Sequence, residues 1–224
     1  MKKLLLFTTI LTLGLATSCS NDDDRIPIDY PRNPTAGGVV IGGVEWAKYN
    51  VDAPGTFVAN PEDVGMLFQW NRQKGWEGWS RPNEEDEENR EDEKAVEPAG
   101  WDSSTPTGTR WTSANDPCPT GWRVPTQSEL TRLRNSPSIW TANWEGTGVS
   151  GRLFGESPYQ IFLPAGGWRI NDSGVLGSGG RFGFYWSSAQ FNRANARAMW
   201  FSSASVFMNW NLRANGYSVR CVVE

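Results

Sequence analysis

Whatever chemistry this chain performs, it performs without histidine. None occurs among its 224 residues. That removes the commonest general base, the commonest zinc ligand and every Ser-His or Cys-His nucleophile pair. Carboxylates are abundant, and residues 84–94 (EEDEENREDEK) hold eight of them with two bases. Such a run reads first as a solvated loop, with a cation site as the lesser alternative. No other nucleophile motif stands out, and the expected chemistry is recognition, not catalysis. The residues suited to recognition crowd one segment: Arg181, Phe182, Phe184, Phe191, Asn192, Arg193, Asn195, Arg197, Trp200, Phe201, Phe207, Asn209, Trp210 and Asn211. Rigid rings supply contact area, Arg supplies charge, and Asn adapts its hydrogen bonds, as in antibody paratopes. About half of these rings are expected to belong to a core.

Cysteines supply the remaining reactive groups. Cys19 closes the run MKKLLLFTTILTLGLATSC. Lys2 and Lys3 form a charged start, Leu4 to Leu15 is apolar but too short for a membrane span, and the small residues Ala16, Thr17 and Ser18 lead to the cysteine. This resembles the lipobox of bacterial lipoproteins, in which the cysteine is acylated and becomes the first residue. Residues 1–18 are then a signal peptide and 19–36 an acylated, disordered tether. The acidic SNDDD after Cys19 resembles the export signal of Bacteroidetes surface lipoproteins. An outer-membrane lipoprotein exposed at the cell surface is expected, held to the membrane through its lipid anchor only. In that oxidising compartment the two other cysteines, Cys118 and Cys221, are expected to pair. The formal charge of −4 leaves no basic footprint for nucleic acid.

The elements that must position these residues are short. Residues 37–50 (GGVVIGGVEWAKYN) read as one or two strands around a Gly42-Gly43 turn. A short strand runs from Gly65 to Trp70. Residues 80–110 form an acidic loop insertion with little power to bury surface. Thr126 caps a helix over QSELTRLRNS, with Glu129 completing a capping box, Leu130 and Leu133 facing the core and Pro137 stopping it. Later strands are expected at Tyr159 to Leu163, Gly183 to Ser188, Ala196 to Val206 and Tyr217 to Val223. Phe191, Asn192, Arg193, Asn209, Trp210 and Asn211 are placed in loops. One or two helices and many short strands, with 13 Trp and 24 Gly, give an α+β class and a core of large rings.

Several segments, in order, carry a family resemblance: GGVEWAKYNVDAPGTF, GMLFQWNR, DPCPTGWRVPTQSEL, FLPAGGWR, YWSSAQ and GYSVRCVVE. Together they resemble the Fibrobacter succinogenes major paralogous domain and cover residues 37–224. The resemblance implies a C-type-lectin-like domain with short antiparallel strands, long loops, paired terminal strands and a ligand face on the C-terminal strands. Residues 180–224 also resemble the variable region of proteins diversified by retroelements, where adenine-directed copying randomises chosen codons. The implied ligand-binding residues are Phe182, Phe184, Phe191, Asn192, Arg193, Asn195, Asn209, Trp210 and Asn211.

The fold resemblance brings two rival chemistries. Formylglycine-generating enzymes use a cysteine pair, but Cys118 and Cys221 sit in framework motifs. C-type lectins often hold calcium through an EPN-like loop and a WND triplet. Here Trp210-Asn211 is followed by Leu212, no EPN occurs, and Asn171-Asp172 alone supplies too few oxygens. No cofactor or metal is therefore expected. The expected function is binding of an external protein or glycan, with a structural or adhesin component of the cell surface as the alternative.

Overall fold

The computed structural model describes residues 37–80 and 97–224. Cys19, the tether and the acidic run 84–94 lie outside the described residues. The described chain begins with a hairpin, β1 (Val39–Ile41) and β2 (Val44–Trp46). Gly42 and Gly43 turn it with φ of 59° and 73°, the paired positive angles of a tight hairpin turn that glycine adopts without strain. β3 (Met66–Gln69) and β4 (Gly75–Glu77) form a second hairpin, and β5 (Trp122–Arg123) leads into α1 (Gln127–Asn135). β6 (Ser138–Thr141), β7 (Gly151–Glu156) and β8 (Tyr159–Pro164) make one antiparallel sheet. The pairs β9 (Trp168–Arg169) and β10 (Leu176–Gly177), then β14 (Gly216–Tyr217) and β15 (Val222–Val223), are two-residue strands. Between them lie the longest strands, β11 (Gly183–Gln190), β12 (Asn195–Phe201) and β13 (Val206–Leu212).

These strands form four antiparallel sheets, ordered β1-β2-β15-β5, β10-β9-β14-β3-β4, β6-β7-β8 and β11-β12-β13. Strand accounts for 38% of the described residues and helix for 9%, with α1 the single α-helix among them. The α+β, C-type-lectin-like expectation is thereby corrected: the domain is mostly β. The composition of large rings and scattered β-branched residues supports many short strands, and one capped segment supports one helix. Terminal segments do pair, with Val222 opposite Trp46.

Two further expectations are corrected. The strand expected over Ala196 to Val206 ends at Phe201; residues 202–205 turn the chain and β13 returns beside β12. Asn209, Trp210 and Asn211 are therefore on a strand, not in a loop. Tyr217 to Val223 is not one strand but β14 and β15 in different sheets. The described residues 97–110 are mostly exposed and touch the domain at a few points. Trp101 sits 5.1 Å from the Trp76 ring and donates from Nε1 to the Asn171 carbonyl, Asp102 pairs with Arg72 at 2.7 Å, and Pro106 is buried.

Strands β11 and β12 lie between two cores, which accounts for the apolar residues on both of their faces. Tyr185, Met199 and Phe201 pack with Leu130 and Leu133 of α1, Trp46 and Phe154. Trp186, Ala196 and Ala198 pack on the other side with Trp70, Trp111, Tyr217, Val219 and Cys221. Gly183 must lack a side chain, because a Cβ there would lie 2.2 Å from the ring of Phe201, its register partner. The Cys118–Cys221 disulfide closes the second core, with Cα atoms 6.1 Å apart.

Two buried arginines tie this framework together through carbonyl oxygens. Arg220 donates to the Asn50 side chain and to the carbonyls of Ala47, Lys48 and Phe162. Arg213 donates to the carbonyls of Pro106, Gly108, Asn192 and Asn195 and to Gln190 Oε1, with its guanidinium 4.3 Å over the Trp70 ring. Burial lowers the Arg213 pKa from its ordinary value, as desolvation does for any cation.

Candidate binding face

Strand alternation sorts the candidate residues onto two faces of one sheet. Phe184, Trp200 and Phe207 are successive partners across β11, β12 and β13. Their rings form a row, with Phe184 and Trp200 at 6.2 Å and Trp200 and Phe207 stacked at 4.5 Å. Phe182 joins it, 6.1 Å from Trp200. The row is rooted in the core: Phe184 lies 4.9 Å from Tyr217, which stacks on buried Trp186 at 4.2 Å. Trp186 also donates from Nε1 to the Phe68 carbonyl at 2.7 Å. Rings become steadily more accessible along the row, from Trp186 at 0% to Phe207 at 44% exposed.

The opposite face carries a second group. Arg197 of β12 faces Trp210 of β13 in register. The hairpin between β11 and β12 brings Phe191 over both. Its ring is parallel to Trp210 within 8° at 5.6 Å, and the Arg197 guanidinium sits 4.3 Å above it. Phe191 and Trp210 are 42% and 48% exposed. The hairpin is held by its own polar groups. Asn192 Oδ1 accepts from the backbone N–H of Ala194 and Asn195 and from Asn195 Nδ2, and the Asn192 carbonyl accepts from Arg213. An Asx-type turn of this kind fixes a tip without help from strand pairing.

The nine residues expected to touch a ligand thus divide. Phe191, Arg193 and Trp210 are exposed, with the Phe191 ring meeting Trp210 and Arg197. Phe182 and Phe184 are half-buried members of the ring row. Asn192, although exposed, is occupied in turn geometry. Asn195 is buried and supports the same turn. Asn209 Oδ1 accepts from the Trp210 N–H at 2.8 Å, and Asn211 Nδ2 is buried without a hydrogen-bond partner. Arg197, Trp200 and Phe207 belong to the two groups yet fall outside the nine. What joins them is the register of β12 against β13, which sets Arg197 opposite Trp210 and Trp200 opposite Phe207 and which the sequence does not announce.

Residues 135–222 match a domain of unknown function (DUF8237), which covers the chain from the end of α1 to β15 and less than half its length. Neither a curated protein nor a solved structure matches. Among the described residues no group of three or more acidic or cysteine ligands is placed to hold a metal ion, and no helix is long and apolar enough to cross a membrane.

Proposed function

We propose that this chain is a surface-displayed lipoprotein, anchored through Cys19, that binds an external protein or glycan through its β11-β12-β13 sheet and catalyses no reaction. One observation carries the binding assignment. Of eight large apolar residues that are exposed among the described ones, three, Phe191, Trp210 and Leu212, lie together on one face of this hairpin and edge strand, and a fourth, Phe207, ends the ring row on the other face. Clustered rings with an arginine are the composition of interface hot spots, and clustered exposure is what marks an interaction surface. The anchor rests on the residues before Cys19 and on the acidic SNDDD that follows.

A glycan and protein array probed with residues 37–224 tests the binding assignment. The bound ligand should lose about 2 kcal/mol of affinity on Trp210→Ala, a typical hot-spot effect. A ligand held equally well by Trp210→Ala and Phe207→Ala places binding elsewhere. Fractionation tests the anchor: Cys19→Ala should move the protein from the membrane to the soluble fraction while leaving its melt unchanged. Unaltered membrane association of that variant means a different anchor. Diversification by a retroelement, proposed on the resemblance of residues 180–224, requires a near-copy of that coding segment beside a reverse transcriptase gene.

A further inference from the structure

The charge of the binding segment differs from that of the rest of the chain. From Ser173 to Val223 there are five arginines and not one Asp or Glu, within a protein whose formal charge is −4. Two of the five, Arg213 and Arg220, are buried and spend their donors on carbonyls. The other three, Arg181, Arg193 and Arg197, are accessible. No carboxylate among the described residues pairs with Arg193 or Arg197. Arg197 is held instead by the Phe191 ring, which fixes its position without using its hydrogen-bond donors. A guanidinium so placed keeps its planar fork free for a carboxylate, the partner it binds bidentately.

The neighbouring backbone separates two kinds of anionic ligand. An acidic peptide added as a strand needs free N–H and C=O groups along the β13 edge. Near the rings two of those groups are already engaged: the Trp210 N–H donates to Asn209 Oδ1 at 2.8 Å, and the Leu212 carbonyl accepts from Asn215 N–H at 3.0 Å. The larger recognition surface there is side chain: the half-exposed Phe191 and Trp210 rings, parallel within 8°, beside one charged fork. The apolar C–H face of a pyranose ring stacks on such rings, and a carboxylate on that sugar reaches the fork. We propose that Phe191, Arg197 and Trp210, with Arg193 adding long-range attraction, form a subsite for a carboxylated sugar in an acidic polysaccharide. This rests on the binding face proposed above and names its ligand class.

Affinity electrophoresis of the whole mature chain with polygalacturonate as the probe tests it. Retardation is expected with polygalacturonate and not with its methyl ester. Arg197→Gln and Trp210→Ala should each weaken it by about tenfold or more, the loss expected for one charge-assisted contact or one anchor ring. Both variants should melt with the parent. Four results overturn the proposal. No retardation by polygalacturonate overturns it outright. Heparin binding more tightly makes the anion a sulfate. Poly-glutamate binding as tightly makes the ligand an acidic peptide. An array ligand lost in Trp210→Ala but kept in Arg197→Gln removes the acidic specificity and leaves the binding face standing. An array ligand that instead survives both Trp210→Ala and Phe207→Ala brings down the face itself.

Discussion

At the scale of single residues, two tryptophans in one sheet do opposite work. Trp186 is fully buried, stacked on Tyr217 and bonded to the Phe68 carbonyl, so Trp186→Ala leaves a cavity and an unmet acceptor. Its cost should be about 3–5 kcal/mol of stability. Trp210 is 48% exposed, and Trp210→Ala should cost about 1 kcal/mol or less. Thermal melts of both variants decide it; a larger loss from Trp210→Ala means that its ring is a core ring. The polar neighbours Asn209 and Asn211 made the exposure of Trp210 legible in the sequence. Nothing comparable revealed Arg213. In sequence it is one more arginine of the binding segment, yet it is 2% exposed and spans Pro106, Gly108, Gln190 and Asn192. Arg213→Met removes donors from several buried carbonyls, each worth roughly 1–3 kcal/mol when left unmet. It should destabilise the protein far more than Arg197→Met, and it should lower affinity by loosening the hairpin that carries Phe191. Equal melts for the two methionine variants would refute that role.

At the scale of elements, legibility followed locality. The first hairpin and α1 were readable because their signals are adjacent residues: Gly42-Gly43 for the turn, Thr126 and Glu129 for the cap. β13 was not, since VFMNWNL carries two strand-averse Asn, and its register with β12 is what makes it a strand. The turn before it is set from a distance, by Arg152 donating to the carbonyls of Ser202 and Ser203. The helix cap supports a prediction about pH. Glu129 accepts from Arg123 through both oxygens at 2.9 and 2.7 Å and from the Thr126 N–H at 2.7 Å. The Arg123 bonds, opposed by partial burial, hold its carboxyl at about 2. The folded value is depressed below the ordinary carboxylate value of about 4.3, so the ionised form binds the fold more tightly. Its contribution is complete above the unfolded value and is lost as pH falls from about 4.3 through about 2. Glu129→Gln should therefore destabilise by about 1 kcal/mol at pH 7, as a broken cap does. The difference from the parent should shrink in that acid window. A difference that stays constant from pH 7 to pH 2 assigns the effect to something other than the charge.

At the scale of the whole molecule, the mostly β class is hard to read because two of its four described sheets are built partly from pieces too short to announce themselves. β5, β9, β10, β14 and β15 have two residues each, and their partners lie far away in sequence, as Gly216 does from Gln69. Composition could forecast a ring-filled core but could not forecast that, among the described residues, four sheets and one α-helix would share it. A fold assembled from such distant contacts pays a large entropy cost to close its loops, and the Cys118–Cys221 bond, spanning 103 residues, removes much of that cost from the unfolded chain. It joins the segment before β5 to the residue preceding β15, and Cys221 is fully buried in the core that roots the ring row. By the chain-entropy argument a bridge over about 100 residues contributes about 4.7 kcal/mol. For a domain of this size that is a fall in melting temperature of roughly 10–15 °C on reduction. The measurement is a melt of residues 37–224 with and without a phosphine reductant, after a thiol titration in denaturant that should find no free thiol before reduction. The Cys118→Ser, Cys221→Ser double variant should melt with the reduced protein. A free thiol count of two in the untreated protein removes the bond. A full bond whose reduction shifts the melt by less than about 2 °C shows instead that the unfolded chain is already constrained, by residual structure, against the opening that the bridge prevents.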